Sequence, residues 1–167
     1  NDNQEEQTLP GFQKNHKSGY YKYMLGRYLY CLKYINGKSV LDSGCGLGWG
    51  SFLISGFPTK ILSIDNNEEA LDVAKKFWKD SKINYKKHSV LSLEYLYEKF
   101  DVVLGYELIE HLSYDQGCNY IRQTSNALNK NGTLILSSYF PYFAEKARKS
   151  EQTNEFHLHI YTRQEIK

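Results

Sequence analysis

Residues Val40 to Gly50, VLDSGCGLGWG, place a short apolar run, an acid and four alternating glycines directly ahead of a helix-like stretch. A doubly wound α/β sheet begins this way. Its first strand ends at the crevice where ligands sit, and the next helix turns unpaired N–H groups toward it. Glycine suits positions where a ligand lies flat across the backbone and a side chain would collide with it. Glycine-rich turns also occur without any ligand, so the loop needs support from its neighbours.

The spacing narrows the ligand. Counted from Gly44, a dinucleotide fingerprint needs glycine where Trp49 stands; counted from Gly46, it needs glycine or alanine where Ser51 stands. Asp42, two residues before the first glycine, would set a negative charge near the phosphates of a dinucleotide. A ligand carrying an ammonium and a sulfonium fits that charge better. Asp65 closes the next strand-like stretch, where a carboxylate accepts hydrogen bonds from both hydroxyls of a ribose. It could instead cap the following helix, as could Asn66 or Asn67.

The rest of the chain repeats strand and helix. Ser39 to Leu41, Lys60 to Ile64, Ile83 to Lys86, Phe100 to Leu104 and Thr133 to Ser137 read as five strands. Glu68 to Trp78 and Gln116 to Leu128 have helical spacing, and Asn131 with Gly132 reads as a turn. Short apolar strands alternating with helices predict a mostly parallel, Rossmann-like sheet covered on both faces. Residues 1–17 read as a flexible arm, and the domain as 18–167. Within it, 18–36 form a cap of one or two helices, 37–138 the core, and 139–167 a segment for substrate or metal. The lysines between Lys75 and Lys87 read as a solvated face.

Composition argues against some classes. A formal charge of +2 falls well short of the positive field that a phosphate backbone requires, so nucleic acid is not an expected partner. No window has the length and apolarity of a membrane span, and Asn1 to Gln7 carry no signal-peptide core, which predicts a soluble, cytoplasmic protein. The three cysteines, Cys31, Cys45 and Cys118, form no paired motif and read as free thiols.

Four segments taken in order resemble the class I S-adenosylmethionine methyltransferases. VLDSGCGLGWG resembles the first motif, SIDNN the acidic second, FDVVLGYELIEHL the fourth-strand motif and LNKNGTLILSS the fifth-strand motif. The resemblance runs from about Arg27 to Lys167 and implies S-adenosylmethionine as cofactor. It places Gly44, Cys45, Gly46 and Gly48 along the methionine and ribose, Asp42 beside the loop and the ligand's amino group, and Asp65 with Asn66 at the ribose. It places Arg27 at the methionine carboxylate, with Gly105 and Tyr106 flanking the methyl group. Ser89 and Val90 fall where the family has an acid and a backbone N–H that read adenine; Ser89 departs from that pattern. Within the family the chain is most similar to enzymes that methylate small metabolites and sugars, through Arg27 with Tyr28 and through Asn154, Glu155, Phe156 and His157.

Glu107, Glu110 and His111 leave the fourth strand at spacings that would share one side of a helix. Two carboxylates and an imidazole there can hold a divalent cation such as Mg²⁺. The group resembles the Glu-x-x-Glu-His motif of small-RNA and ubiquinone-pathway O-methyltransferases, which implies His157, or His159 in its place, as a further ligand. A bound metal would draw two adjacent hydroxyls together and acidify one. In a second reading His111 alone is the general base, and in a third the acids are helix-start residues without chemistry. The expected reaction is O-methylation of a small hydroxylated acceptor: a sugar, a glycoconjugate or a phenol. An N- or C-methyltransferase without metal and a non-catalytic nucleoside-binding scaffold are the alternatives. Tyr139, Phe140, Tyr142 and Phe143 would stack on an acceptor ring or pack in the core. The family's sheet has seven strands with the last two antiparallel, and this chain stops before either. An open edge and self-association are therefore expected.

Overall fold

The computed structural model describes residues 18–138, 157–162 and 164–165. The arm at 1–17, the run from Tyr139 to Phe143 and the Asn154 to Phe156 element lie outside the described residues.

Five parallel strands form one sheet. They are β1 (Ser39–Ser43), β2 (Lys60–Asp65), β3 (Ile83–Lys87), β4 (Phe100–Tyr106) and β5 (Leu128–Ser137), in the order β3-β2-β1-β4-β5. The strand order reverses at β1, whose neighbours are β2 and β4, so the crevice of a doubly wound sheet opens at its C-terminal end. All five residues of β1 are buried. Alternate side chains serve opposite faces: Val40 packs with Tyr28, Cys31, Ile35, Ile61 and Leu104, while Leu41 packs with Leu62, Phe100, Val103 and Tyr120. A strand covered on both sides buries every side chain, the small or hydrogen-bonded polar residues Ser39, Asp42 and Ser43 included.

The cap is a single helix, α1 (Ser18–Ile35), laid on the Val40 face beside α2 (Trp49–Ile54). Helix α3 (Glu68–Phe77) begins at Asn67, whose side chain accepts from the Ala70 N–H, with Glu68 and Glu69 in its first turn and Lys75 and Lys76 in its last. That charge order complements the helix dipole. Lys75, Lys76, Lys79, Lys82, Lys86 and Lys87 are all exposed, as a solvated face should be. Helix α4 (Tyr114–Ala127) covers the other face. It starts earlier than periodicity places it because Ser113 and Gln116 close a capping box, which makes Gln116 the third helical residue and not the first.

Asn131 and Gly132 do not form the expected turn ahead of a strand. Leu128 already pairs with Phe100, and the register to β4 slips before Val102 meets Thr133. Asn131 (φ 64°) absorbs the extra residues as an irregularity inside β5. Edge strand β3 exposes Asn84, Lys86 and Lys87, and lysines on an edge oppose pairing with another sheet. Cys31, Cys45 and Cys118 are free thiols, the first two buried. No helix among the described residues is long and apolar enough to cross a membrane.

Candidate functional site

The glycine loop leaves β1 and is tied at once to β2, since the N–H groups of Gly44 and Cys45 both donate to the Ile64 carbonyl at 2.8 and 2.9 Å. Gly44, Gly46 and Gly48 have φ of 72°, 51° and 79°, backbone that favours glycine. Their surroundings separate their roles. A Cβ on Gly48 would stand 2.5 Å from that of Ala74, and one on Gly50 1.9 Å from Cζ of Tyr28, so these two glycines admit α3 and α1. A Cβ on Gly46 would meet nothing within 4 Å. Gly46 therefore faces open space, in a crevice lined by Met24, Arg27, Tyr28, Cys45, Tyr106 and Glu107 among others.

Asp42 lies beneath this loop and is only 1% exposed. Its Oδ2 accepts from Ser51 Oγ at 2.5 Å and from Tyr28 Oη at 3.4 Å, fastening the start of α2 and the middle of α1 to β1. Burial pushes its carboxyl up to about 6, against the pull of those two donors. Asp42, expected beside the loop and the ligand's amino group, thus lies inside the core, with both of its side-chain partners on the flanking helices. Asp65 is half-buried at the C-terminal end of β2. Oδ2 accepts from the Gly46 N–H and Oδ1 from the Asn67 N–H, both at 2.8 Å. Asn67, not Asp65, caps α3, which leaves the second lone pairs of Asp65 available to a ribose. Asn66 is exposed beside it. Ser89 caps the 3₁₀ turn Val90–Leu96 by accepting from the Leu91 N–H, and Val90 is buried in the core. The Ser89 hydroxyl, which stands where the family has an acid, is thus engaged with the backbone of its own turn.

The exit of β4 departs most from expectation. Glu107 does not begin a helix. It adopts φ 47°, and only Ile109–His111 form a 3₁₀ turn. Its carboxylate turns to the cap helix, with Oε1 2.7 Å from Arg27 Nη1 and accepting from Ser137 Oγ at 2.9 Å. Arg27 is therefore paired with a protein acid, its ring-facing side over Tyr23 at 4.8 Å, and its Nε is buried with no acceptor among the described residues. Gly105 is also placed differently. A Cβ there would stand 2.6 Å from Tyr120 Oη and 2.7 Å from Leu136 Cδ2, so this glycine lets α4 and β5 pack and does not border the crevice. Tyr106 does border it, holding the cap through its hydroxyl to the Arg27 carbonyl at 3.0 Å and edge-on against Tyr28 at 5.0 Å.

Glu110, His111 and His157 converge, with one ligand atom from each all within 4.8 Å of one another. The His111 and His157 rings meet edge to face at 5.2 Å. The segment carrying His157 is held by the Leu158 and His159 N–H groups, which donate to the Glu110 carbonyl at 2.8 and 3.3 Å. Glu110 is fully buried; Oε2 accepts from Ser138 Oγ at 3.0 Å and Oε1 has no partner among the described residues. Burial, and then the charge of Glu107, push its carboxyl up. A buried carboxylate oxygen without a donor is costly unless a proton or a cation satisfies it. One oxygen and two imidazoles are a fitting donor set for a divalent ion. Glu107 is excluded from this set because Arg27 and Ser137 hold it. His159 is not in it either, and pairs with Glu165 at 3.1 Å.

Sequence reasoning missed Ser51, Ser137, Ser138 and Tyr23. Ser137 and Ser138 stand at the C-terminal end of β5, where a parallel sheet presents its ligand-facing residues, and that position was the available signal.

Residues 40–132 match the family described as a methyltransferase domain. The chain is 34% identical over 103 residues to the ubiquinone biosynthesis O-methyltransferase of Pelagibacter ubique, a match covering 59% of this chain and 41% of that protein. It is 29% identical over 101 residues to a probable S-adenosylmethionine-dependent methyltransferase of Mycobacterium tuberculosis, covering 60% and 35%. The solved structure of the N-methyltransferase NodS from Bradyrhizobium japonicum aligns with a TM-score of 0.71 at 17% identity, over 90% of this chain and 80% of that one. Likeness at such identity speaks for the fold. The chain spans less than half the length of these two curated relatives.

Proposed function

The chain belongs to the methyltransferase-domain family, and on that footing we propose that it transfers a methyl group from S-adenosylmethionine to a hydroxyl of a small acceptor, a sugar, glycoconjugate or phenol, with a divalent cation at Glu110, His111 and His157. The observation that carries the reading is the fully buried Glu110 carboxylate, whose Oε1 has no partner among the described residues while His111 and His157 bring ring nitrogens within reach of the same point.

Gly46 leaves room for the adenosyl group, Asp65 accepts from the ribose hydroxyls, and the Arg27 guanidinium, which lines the crevice, draws the methionine carboxylate. The acceptor oxygen bonds to the methyl carbon as the bond from sulfur breaks, leaving S-adenosylhomocysteine. The proton that leaves the acceptor oxygen passes to solvent water, since the His111 nitrogen would be held by the cation in this reading. A divalent cation, when bound, supplies Lewis acidity that lowers the pKa of that hydroxyl. Oxygen as the nucleophile draws support from the name of the Pelagibacter relative.

One observation favours a second reading, in which His111 acts as base without metal: Glu107 is committed to Arg27, so among the described residues three donors converge. Chelation separates the two. S-adenosylhomocysteine formation, measured with catechols, sugars and amines, is expected with a hydroxylated acceptor, to fall at least about tenfold with EDTA or in Glu110→Ala, and to return with Mg²⁺ or Mn²⁺. Activity indifferent to EDTA leaves the cation-free reading. Turnover with no acceptor of any class sinks both.

A further inference from the structure

The residue that the metal group lacks is held by the residue that the cofactor needs. Glu107 stands three positions before Glu110 and lines the cofactor crevice, yet its carboxylate is turned to Arg27, 2.7 Å from Oε1 to Nη1. Ser137 holds both partners, donating to Glu107 Oε1 at 2.9 Å and receiving from Arg27 Nη1 at 3.2 Å. The Glu107 N–H is anchored to the Ser137 carbonyl at 3.0 Å, in a left-handed backbone that a glutamate adopts only when its surroundings impose it. Arg27 itself lies on α1, with its side chain only 11% exposed and an unsatisfied Nε.

We propose that Arg27 is a positioning residue which withholds Glu107 from the Glu110, His111 and His157 group until an anion in the crevice takes the guanidinium, so that the cofactor's carboxylate and a divalent cation bind cooperatively. This inference rests on the cation-assisted reading above.

The physical basis is competition for one guanidinium. Glu107 now holds the guanidinium through a single contact, Oε1 to Nη1 at 2.7 Å, whereas a methionine carboxylate arriving at Arg27 can engage the fork through both oxygens and so displace it. Glu107, once displaced, is free to turn toward the Glu110 carboxylate, three positions on in the chain. Two close carboxylates repel unless a cation lies between them, so the released acid favours metal entry. Coupling of this kind is reciprocal: whatever factor the cofactor adds to cation affinity, the cation adds to cofactor affinity.

The test is calorimetric titration of the protein with Mn²⁺ alone, with saturating S-adenosylhomocysteine, and with saturating 5′-methylthioadenosine, which keeps the nucleoside and lacks the carboxylate. Mn²⁺ is expected to bind at least about fivefold more tightly with S-adenosylhomocysteine and to be unmoved by 5′-methylthioadenosine. Glu107→Gln, which keeps the side chain's size and removes its charge, is expected to abolish the difference while S-adenosylhomocysteine still binds. Equal Mn²⁺ affinity in all three states of the unaltered protein overturns the coupling and leaves the metal site standing. Mn²⁺ binding in none of them overturns the cation-assisted reading itself. The nucleoside comparison needs no variant, so it decides even where Glu107→Gln fails to fold.

Discussion

Asp42→Asn isolates the contribution of the acid beneath the glycine loop. The folded carboxyl keeps its proton up to about pH 6 because it is buried, whereas the unfolded group loses it near 3.8. Between those values the folded chain binds more protons than the unfolded one, so stability falls as pH rises through that window. The gap corresponds to about 3 kcal/mol, fully felt above pH 6 and absent below 3.8. Asparagine keeps an oxygen for Ser51 Oγ and Tyr28 Oη and cannot ionise. Urea denaturation of both proteins at pH 3.5 to 7.5 is the measurement, and subtracting the two curves cancels every other titrating group, Glu110 included. The variant is expected to gain about 3 kcal/mol relative to the unaltered protein across the window, whatever its absolute stability. Parallel profiles would show that Asp42 is not desolvated as its surroundings indicate. Because a cationic ligand favours the ionised acid, S-adenosylmethionine affinity should also rise with pH through about 6.

Two glycines of the loop should fail differently. Gly50→Ala drives a methyl group into the buried Tyr28 ring and should cost about 3 kcal/mol, a fall in Tm of roughly 6–12 °C. Gly46→Ala meets no neighbour; it should cost only about 1–2 kcal/mol of backbone strain yet weaken S-adenosylhomocysteine binding at least about tenfold by filling the crevice. Equal effects of the two substitutions on binding at matched stability would refute that division. Asp65→Ala removes the ribose acceptor and the tether to the Gly46 N–H. It should weaken S-adenosylhomocysteine by about 1.5–3 kcal/mol in a calorimetric titration, and unchanged affinity would place the ribose elsewhere.

What local chemistry dictates was legible in the residues. Short, largely apolar runs such as Phe100 to Leu104 read as strands buried on both faces, and the strand, glycine and helix order of Val40 to Gly50, supported by its neighbours, reads as the first turn of such a sheet's crevice. The type of each core element, the parallel topology, the loop, and the convergence of Glu110, His111 and His157 followed from pattern and resemblance. Pairings between distant segments did not follow. Glu107 shares a helical spacing with Glu110, but a left-handed backbone and the guanidinium of Arg27, 80 positions earlier in the chain, carry it to the other side. Gly48, Gly50 and Gly105 look in sequence like ligand-facing glycines and prove to be contact points for Ala74, Tyr28 and Tyr120. Spacing along a chain reports which face a residue takes only while the helix or strand continues. Once β4 ends, the direction of each side chain is decided by whichever charge, ring or hydroxyl the folded chain has brought alongside.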